Sequence, residues 1–421
     1  MKPPLNRRVF VVGYAAATPL GMSFEKTWER AKSGDAGFRH ATRCRVDPPC
    51  DIVGEIPDWD PLSLDFITKK DVSNWNASFI HLTMEVCRAG LKDAAVEMTD
   101  GTAERTGCLI GSALNGHDAY RAAVHALAEG GPNKVDPYLL PNLCGNLPAG
   151  KAGMLLGFKG LSLSPQGACA SGNHAIGLGA RMLRDGDLDF MLAGGVDTPI
   201  IPEIVHGFAN MRATIKVREK DRAYNDPGRA SRPFSIDRKG FVLSEGAGVV
   251  VLASQDAVIT HGLKPRAEVL GIGWTSDAFH FTKPSGPTVE KAMRDALEDA
   301  GIGPEDIHYV NAHGTSTPQG DAAEAQCLKN VFGEFIERIP VSSNKSQMGH
   351  TLGASASIEA ALTIEMMQQE ILLPTINHLP DPKLSWLDVV PNESRAHKME
   401  HCMTNAFGFG GTNCCVVFKG V

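Results

Sequence analysis

Four side chains are of types and in settings that can make and break an acyl bond: Cys169, His313, Lys345 and His350. Cys169 lies in GACASGNHAIGLGARMLRDG (167–186), after an apolar segment (154–163) that reads as a strand with its flanks. Behind it Ala175, Ile176, Leu178, Ala180, Met182 and Leu183 recur on one side of a helix that Gly186 closes. The cysteine is thus expected at a strand-to-helix turn, where the positive end of the helix dipole favours a thiolate near neutral pH. Its neighbours Gly167, Ala168, Ala170, Ser171 and Gly172 are small enough to admit a substrate carbonyl and leave backbone N–H groups facing a developing oxyanion. Most cysteines are buried structural thiols. This setting argues for a nucleophile, provided that histidines work with it.

His313 follows an apolar strand in NAHGTSTPQGDAAEA, with Asp321 and Glu324 at the start of the next helix. Lys345 and His350 lie in SSNKSQMGHTLGASASIEA, a Gly/Ser-rich loop ahead of another helix. Two neutral imidazoles donating N–H to one carbonyl oxygen stabilise an enolate, and either assists loss of an adjoining carboxylate. Lone histidines are more often surface or satisfied core residues, the reading given to His81, His117, His125 and His401. His313 and His350 differ because small residues flank them in strand-to-helix loops, where functional side chains concentrate. Lys345, in a loop nearly free of other charge, is expected to be buried, orienting a histidine or binding backbone carbonyls. A third stretch, NAFGFGGTN (405–413), has the GxGxxG form but runs into another strand, so no helix N-terminus follows to bind phosphate. The glycines around Phe407 and Phe409 read instead as a mobile loop that swings an aromatic ring and offers N–H groups to an oxyanion.

To bring these loops together the chain must alternate buried strands with helices, and it does so from the start. RVFVVG (8–13) reads as a buried strand, followed by a small-residue loop and a helix over 23–32. Residues 39–65, rich in Pro and Asp, read as a surface excursion. A helix over 76–95 and the strand TGCLIG (106–111) follow; beyond the Cys169 helix come the strand DFMLAGGVD (189–197) and a helix over 203–211. The polar stretch 212–232 carries Arg212, Lys216 and Arg218 among other basic residues and suits either a solvated loop or a docking surface for an acidic partner. GFVLSEGAGVVVLAS (240–254) reads as two strands or one bent strand. From Arg266 the pattern restarts: RAEVLGIGWTSDAF resembles RVFVVGYAAATPLG, and a helix over 288–300 and the strand-to-loop HYVNAHGTST follow. An internal duplication into two α/β halves, 1–258 and 259–421, is expected, with strand-end loops of both halves meeting at one crevice.

The 421-residue chain has ample length for a large core, and 43 % hydrophobic with 21 % charged residues is ordinary for a folded enzyme. A net charge of −7 argues against a general nucleic-acid or membrane-surface protein. No apolar run reaches the roughly eighteen residues of a membrane span. The basic start MKPPLNRRVFVVG passes straight into a strand without a cleavage site and is expected not to be a signal peptide. The ten cysteines show no CxxC or Cys/His zinc spacing and read as reduced thiols of a cytoplasmic protein; no metal site is expected.

Together GACASG, NAHGTST, the Lys345-to-His350 spacing and NAFGFGGTN resemble the β-ketoacyl-[acyl-carrier-protein] synthases, the Cys-His-His condensing enzymes, and most of all their elongating type II and the related polyketide ketosynthases. RPFSIDRKGFVLSEGAG, SDAFH and AGGVD occur in the family's order, so the resemblance spans the chain. It implies a thiolase-like five-layered αβαβα fold of two similar halves. It carries the nucleophile onto Cys169, the decarboxylation histidines onto His313 and His350, and their supporting lysine onto Lys345, itself supported by Glu359. The gate onto the acyl pocket falls on Phe409, whose N–H joins that of Cys169 in an oxyanion hole, with Gly408 and Gly410 beside it. Leu114, in GSALNG, and Phe208 fall on the acyl pocket. The resemblance implies decarboxylative Claisen condensation of malonyl carrier protein with an acyl group on Cys169. It also implies no metal or organic cofactor, because the acyl carrier protein brings its own phosphopantetheine. The partners implied are that acidic carrier, docking on Lys69, Lys70, Arg212, Lys216 and Arg218, and a second copy in a homodimer, or a related ketosynthase subunit in a heterodimer. Pro165-Gln166-Gly167-Ala168 and Met348 depart from the family's pattern, and the 212–226 loop looks longer than usual; these positions bear on the acyl substrate.

Two other classes are weighed. A non-catalytic partner subunit of the chain-length-factor kind typically lacks the nucleophile, which Cys169 supplies here. A degradative thiolase needs a second, C-terminal cysteine as acid/base, but Cys414 and Cys415 fall inside the last apolar strand.

Overall fold

Ten strands, in two sets of five, frame the molecule, whose computed structural model describes residues 7–421. The N-terminal MKPPLN, part of the segment expected not to be a signal peptide, lies outside the described residues. The first set is β1 (Val9–Ala17), β2 (Thr106–Gly111), β3 (Ser162–Leu163), β4 (Phe190–Asp197) and β5 (Gly246–Ser254). The second is β6 (Ala267–Ser276), β7 (Tyr309–Asn311), β8 (Val341–Ser342), β9 (His401–Gly408) and β10 (Thr412–Gly420). The spatial order is β3-β2-β4-β5-β1 in one set and β8-β7-β9-β10-β6 in the other, and the two join where β1 pairs antiparallel with β6 through Phe10 and Val11. Each set has the same directions: its first strand is antiparallel to its last, and its second, third and fourth run parallel to one another. This is the duplication expected from the restart at Arg266.

Helices fill three layers around these sheets. The helices α1 (Ser78–Asp93) and α2 (Leu147–Leu156) cover the outer face of the first set. The pair α3 (Ser171–Arg184) and α6 (Ser355–Gln369) lies between the sets, while α4 (Gly286–Ala300) and α5 (Pro318–Phe332) cover the outer face of the second. Five layers result, as the resemblance implies. Burial follows the layering: β1, β4 and β5 are buried along their whole length, and all residues of α6 from Ser355 to Ile364 are buried. On α3 the core face is Ala175, Ile176, Ala180 and Leu183, whereas Leu178 is exposed, because its position on the turn points it away from the sheets.

The two central helices meet end to end at their first turns. A Cβ on Gly172 of α3 would lie 2.6 Å from the backbone N of Ser357 of α6, so only glycine allows that approach. Each helix is entered through a short 3₁₀ turn, Ala168–Ala170 ahead of α3 and Leu352–Ala354 ahead of α6. Ala168 and Leu352 hold φ of +49° and +51°, a left-handed conformation that costs a residue with a Cβ roughly 1–2 kcal/mol. The duplication has kept the same strained entry in both halves.

Three expectations need correction. The apolar run 154–163 is not a strand: α2, opened by Pro148 and closed by left-handed Gly157, extends to Leu156, and only Ser162–Leu163 pairs with β2. Residues 39–65 are not simply a surface excursion. Arg39–His40 pairs with Ile52–Val53, and buried Glu55 accepts the N–H groups of Thr42 and Arg43 at 3.0 Å each. Finally, of 240–254 only Gly246–Ser254 is strand, β5; ahead of it Phe241, Leu243 and Ser244 form isolated bridges to Thr214, His350 and Gly54.

Candidate active site

Cys169 sits in the 3₁₀ turn ahead of α3, its side chain drawn under the loop that leads to α6. Nε2 of His350 lies 3.1 Å from its sulfur. The His313 ring stands 5.5 Å from that of His350, nearly perpendicular to it, and 5.5 Å from Phe407. The turn after β7 that carries His313 is fixed by Glu324 of α5, which accepts the N–H groups of His313 and Gly314 at 2.8 and 2.7 Å. Nδ1 of His313 is buried without a hydrogen-bond partner among the described residues. On the other ring, Nδ1 of His350 is 3.0 Å from Oγ of Ser355. That oxygen already accepts the N–H of Thr351, so its own hydrogen is free to point at Nδ1, leaving Nε2 of His350 as the N–H side facing sulfur.

Lys345 is fully buried, and its Nζ lies 2.5 Å from Oε1 of Glu359, likewise buried. Burial raises the Glu359 carboxyl to about 7 in spite of that ammonium. Both imidazoles are held well below the ordinary histidine range, first by burial and then by repulsion from Lys345. They are therefore neutral at neutral pH, each with one N–H to donate. The thiol corrects the expected resting thiolate: burial pushes Cys169 up to about 12, and the opposing pull of Lys345 and of the backbone N–H groups of Phe409 and Cys169 only partly offsets it. Those two N–H groups come from separate segments, the turn ahead of α3 and the β9–β10 hairpin.

Phe409 stands at the tip of the β9–β10 hairpin, where Gly410 and Gly411 take φ of +83° and +75°. Beside it Gly408 packs so closely that a Cβ would lie 2.4 Å from the Gly167 carbonyl oxygen. The Phe409 ring is 6.3 Å from Phe208, which meets Phe241 edge-on at 5.5 Å, and Phe241 meets His350 at 5.1 Å. A row of aromatic rings thus runs from Phe409 to His350. Leu114, Phe208, Phe241 and Phe409 line the same cavity of about 830 Å³ as Cys169, His313 and His350. Arg212 lies on the cavity wall, and Lys216 and Arg218 are exposed on the loop that follows. Unlike nearby Arg229 and Lys239, these three carry no ion pair among the described residues. Lys69 and Lys70 are exposed on the short helix Lys69–Asn74 and do not line the cavity.

Sequence reasoning passed over Phe241, Ser355, Lys283 and Asp197. Lys283 is exposed and lines the cavity. Buried Asp197, at the end of β4, accepts Ser112 Oγ at 2.8 Å and the N–H groups of Ala113, Leu114 and Gly353 at 2.9, 3.0 and 2.7 Å. One carboxylate thereby holds the Leu114 wall against the entry turn of α6. Its motif, AGGVD, was visible in the sequence; its partners were not.

A nucleophilic cysteine and two neutral imidazoles, delivered by equivalent loops of a duplicated α/β unit to one cavity, define a thiolase-like condensing-enzyme architecture. The chain belongs to the beta-ketoacyl synthase family: that family's N-terminal domain matches residues 6–257 and its C-terminal domain residues 266–378. It is 37 % identical over 418 residues, 98 % of each chain, to 3-oxoacyl-[acyl-carrier-protein] synthase 2 of Staphylococcus aureus. Among solved structures it is similar to a beta-ketoacyl synthase from Burkholderia phymatum, at 31 % identity and a TM-score of 0.89 with 99 % of this chain and 100 % of that one covered. It is also similar, at 25 % identity, a TM-score of 0.90 and the same coverage, to a type II polyketide ketosynthase solved with its acyl-carrier protein and bound to a hexaketide.

Proposed function

We propose that this chain is an elongating 3-oxoacyl-[acyl-carrier-protein] synthase, acting in fatty-acid or related polyketide chain extension. The observation that carries the reading is the 3.1 Å approach of His350 Nε2 to Cys169 Sγ with the His313 ring beside it, all on one apolar-walled cavity.

The acyl carrier thioester enters past Phe409, and the Cys169 sulfur attacks its carbonyl. The N–H of His350 supports the sulfur as negative charge develops on it, the N–H groups of Cys169 and Phe409 take the carbonyl oxygen, and the carrier thiol leaves with the Cys169 proton. Once acylated, the sulfur no longer engages His350. Both imidazoles then donate N–H to the thioester oxygen of a malonyl carrier, whose carboxylate departs as CO₂. The resulting enolate carbon attacks the acyl carbonyl, the C–S bond to Cys169 breaks, and the thiolate takes up a proton. Lys345 serves by its charge: protonated imidazoles beside it are disfavoured, so both rings stay N–H donors that do not also carry a charge. Glu359 holds the ammonium in place.

The steps call for no metal or organic cofactor; the carrier supplies phosphopantetheine. Unpaired Arg212, Lys216 and Arg218 and exposed Lys69 and Lys70 suit an acidic carrier. Exposed Leu163 on edge strand β3 and exposed Met154 on α2, which packs against it, suit burial against a second copy, and we favour a homodimer over pairing with a related subunit. No helix among the described residues is long and apolar enough to cross a membrane, in keeping with the cytoplasmic location proposed. The halves 1–258 and 259–421 are proposed as the duplicated units. Incubation with an acyl carrier and malonyl carrier tests the reading: a 3-oxoacyl carrier two carbons longer is expected, together with CO₂. Release of CO₂ without chain extension would contradict it.

A further inference from the structure

Thr412 opens β10 directly after the gate loop, and its Oγ1 donates a 2.8 Å hydrogen bond to the carbonyl of Gly167, two residues before Cys169. The two segments it joins are 245 positions apart in sequence. They are also the two that carry Cys169 and Phe409, whose backbone N–H groups both lower the Cys169 thiol pKa. Gly408 lies against the same carbonyl, and a Cβ there would stand 2.4 Å both from the Gly167 oxygen and from Thr412 Oγ1. Deeper in the molecule a second tie runs in the same direction: Nδ2 of fully buried Asn173, on α3, contacts the carbonyls of Thr404 and Cys414 at 3.3 and 3.2 Å. The body of the hairpin is thus anchored to the Cys169 segment, with Thr412 the tie nearest the tip; the tip's other side is held by Gly410 N–H on the Phe281 carbonyl at 2.8 Å and Asp277 N–H on the Gly411 carbonyl at 2.9 Å.

We infer that Thr412 is a positioning residue for the oxyanion hole: its hydroxyl sets where the Phe409 N–H stands relative to Cys169. The inference rests on the proposed acyl transfer to Cys169. An oxyanion donor is effective only when aimed at the place where charge develops, so a loosened donor lowers turnover without weakening ground-state binding. The carrier would still dock on the basic rim, which Thr412 does not touch. Removing the hydroxyl leaves the Gly167 carbonyl only the Ala170 N–H of its own turn, at 3.0 Å, so the turn and the hairpin tip lose their common register.

The test compares Thr412→Val, of nearly the same shape, with Thr412→Ser, which keeps the hydroxyl. Three quantities are read on each intact protein: kcat and KM for acyl transfer from an acyl carrier, and the rate of Cys169 alkylation by iodoacetamide. Alkylation consumes the thiol but forms no oxyanion. For Thr412→Val, kcat should fall by about tenfold or more, approaching the 10²–10³ that loss of a whole oxyanion donor costs. KM and the alkylation rate should stay within about twofold, and Thr412→Ser should recover most of kcat. Unchanged kcat in Thr412→Val, alkylation falling in step with kcat, or no recovery in Thr412→Ser would overturn the inference. Failure of the wild-type protein to form an acyl-Cys169 adduct would instead refute the proposed function on which it rests.

Discussion

Nε2 of His350 lies 3.1 Å from Sγ of Cys169, although the two residues are 181 positions apart and head different central helices. The contact exists because the duplicated halves set α3 and α6 tip to tip, where Gly172 meets the backbone of Ser357. Its electrostatic setting is unusual for a nucleophile. The thiol is pushed up to about 12 by burial, while His350 is held well below the ordinary imidazole range, so neither partner is charged at rest.

The reactivity of the free thiol should follow from this. Iodoacetamide alkylation of Cys169 is expected to rise by about tenfold per pH unit from pH 7 to 10 with no plateau, since the thiolate fraction keeps growing below its pKa. A plateau beginning below pH 8 would mean that the helix end and His350 hold a resting thiolate.

Lys345 should set the acid limit of the second half-reaction. Burial first, and then the Lys345 charge, keep both imidazoles neutral well below 6.5, so malonyl decarboxylation should be flat with pH between about 6 and 8. Replacing the cation by Lys345→Met removes a charge that disfavours imidazolium. The histidine pKa values then rise toward 6.5, and the acid limb of the rate profile moves to higher pH. Decarboxylation at pH 8, where both rings are neutral with or without the cation, should change far less than at pH 6. An acid limb that stays put or moves lower would separate Lys345 from the histidines.

Leu114 should govern the chain length accepted. It lines the cavity with Phe208 and Phe409, on a wall held by Asp197. Leu114→Ala is expected to admit longer acyl chains, each added buried methylene contributing about 0.8 kcal/mol, or roughly fourfold in kcat/KM. If Leu114 only fills core, the variant would lose a few kcal/mol of stability with its chain preference unchanged. Thermal melting and acyl-chain competition on the same protein distinguish the two.

Carrier docking should depend on the unpaired basic rim. Joint Arg212→Glu and Lys216→Glu substitutions are expected to raise KM for the acyl carrier by about tenfold at low salt and much less at high salt. A small thioester substrate should be affected by less than about twofold. Equal losses with both substrates would exclude a carrier-docking role for these residues.

Legibility in the sequence followed the range of the physics involved. Cys169, His313, Lys345 and His350 could be read because each is marked by its own neighbours, small residues at a strand-to-helix loop. The strand restart at Arg266 likewise foretold the two five-stranded halves. Asp197, Phe241 and Ser355 gave no such signal, since what they do depends on partners brought up by the fold, from Ala113 and Gly353 to the His350 ring. The run 154–163 was misread because its apolarity outweighed the Pro148 and Gly157 that bracket α2. The thiolate expectation counted the helix end and missed the desolvation, which is visible only once the layers close over the sulfur.

The most direct measurement is intact-protein and peptide mass spectrometry after incubation with an acyl carrier. The account predicts one acyl group added to the wild-type chain, on the peptide containing Cys169, removed by subsequent malonyl carrier, and absent in Cys169→Ala. An acyl adduct that persists in Cys169→Ala, or a wild-type chain that is never acylated, would contradict it.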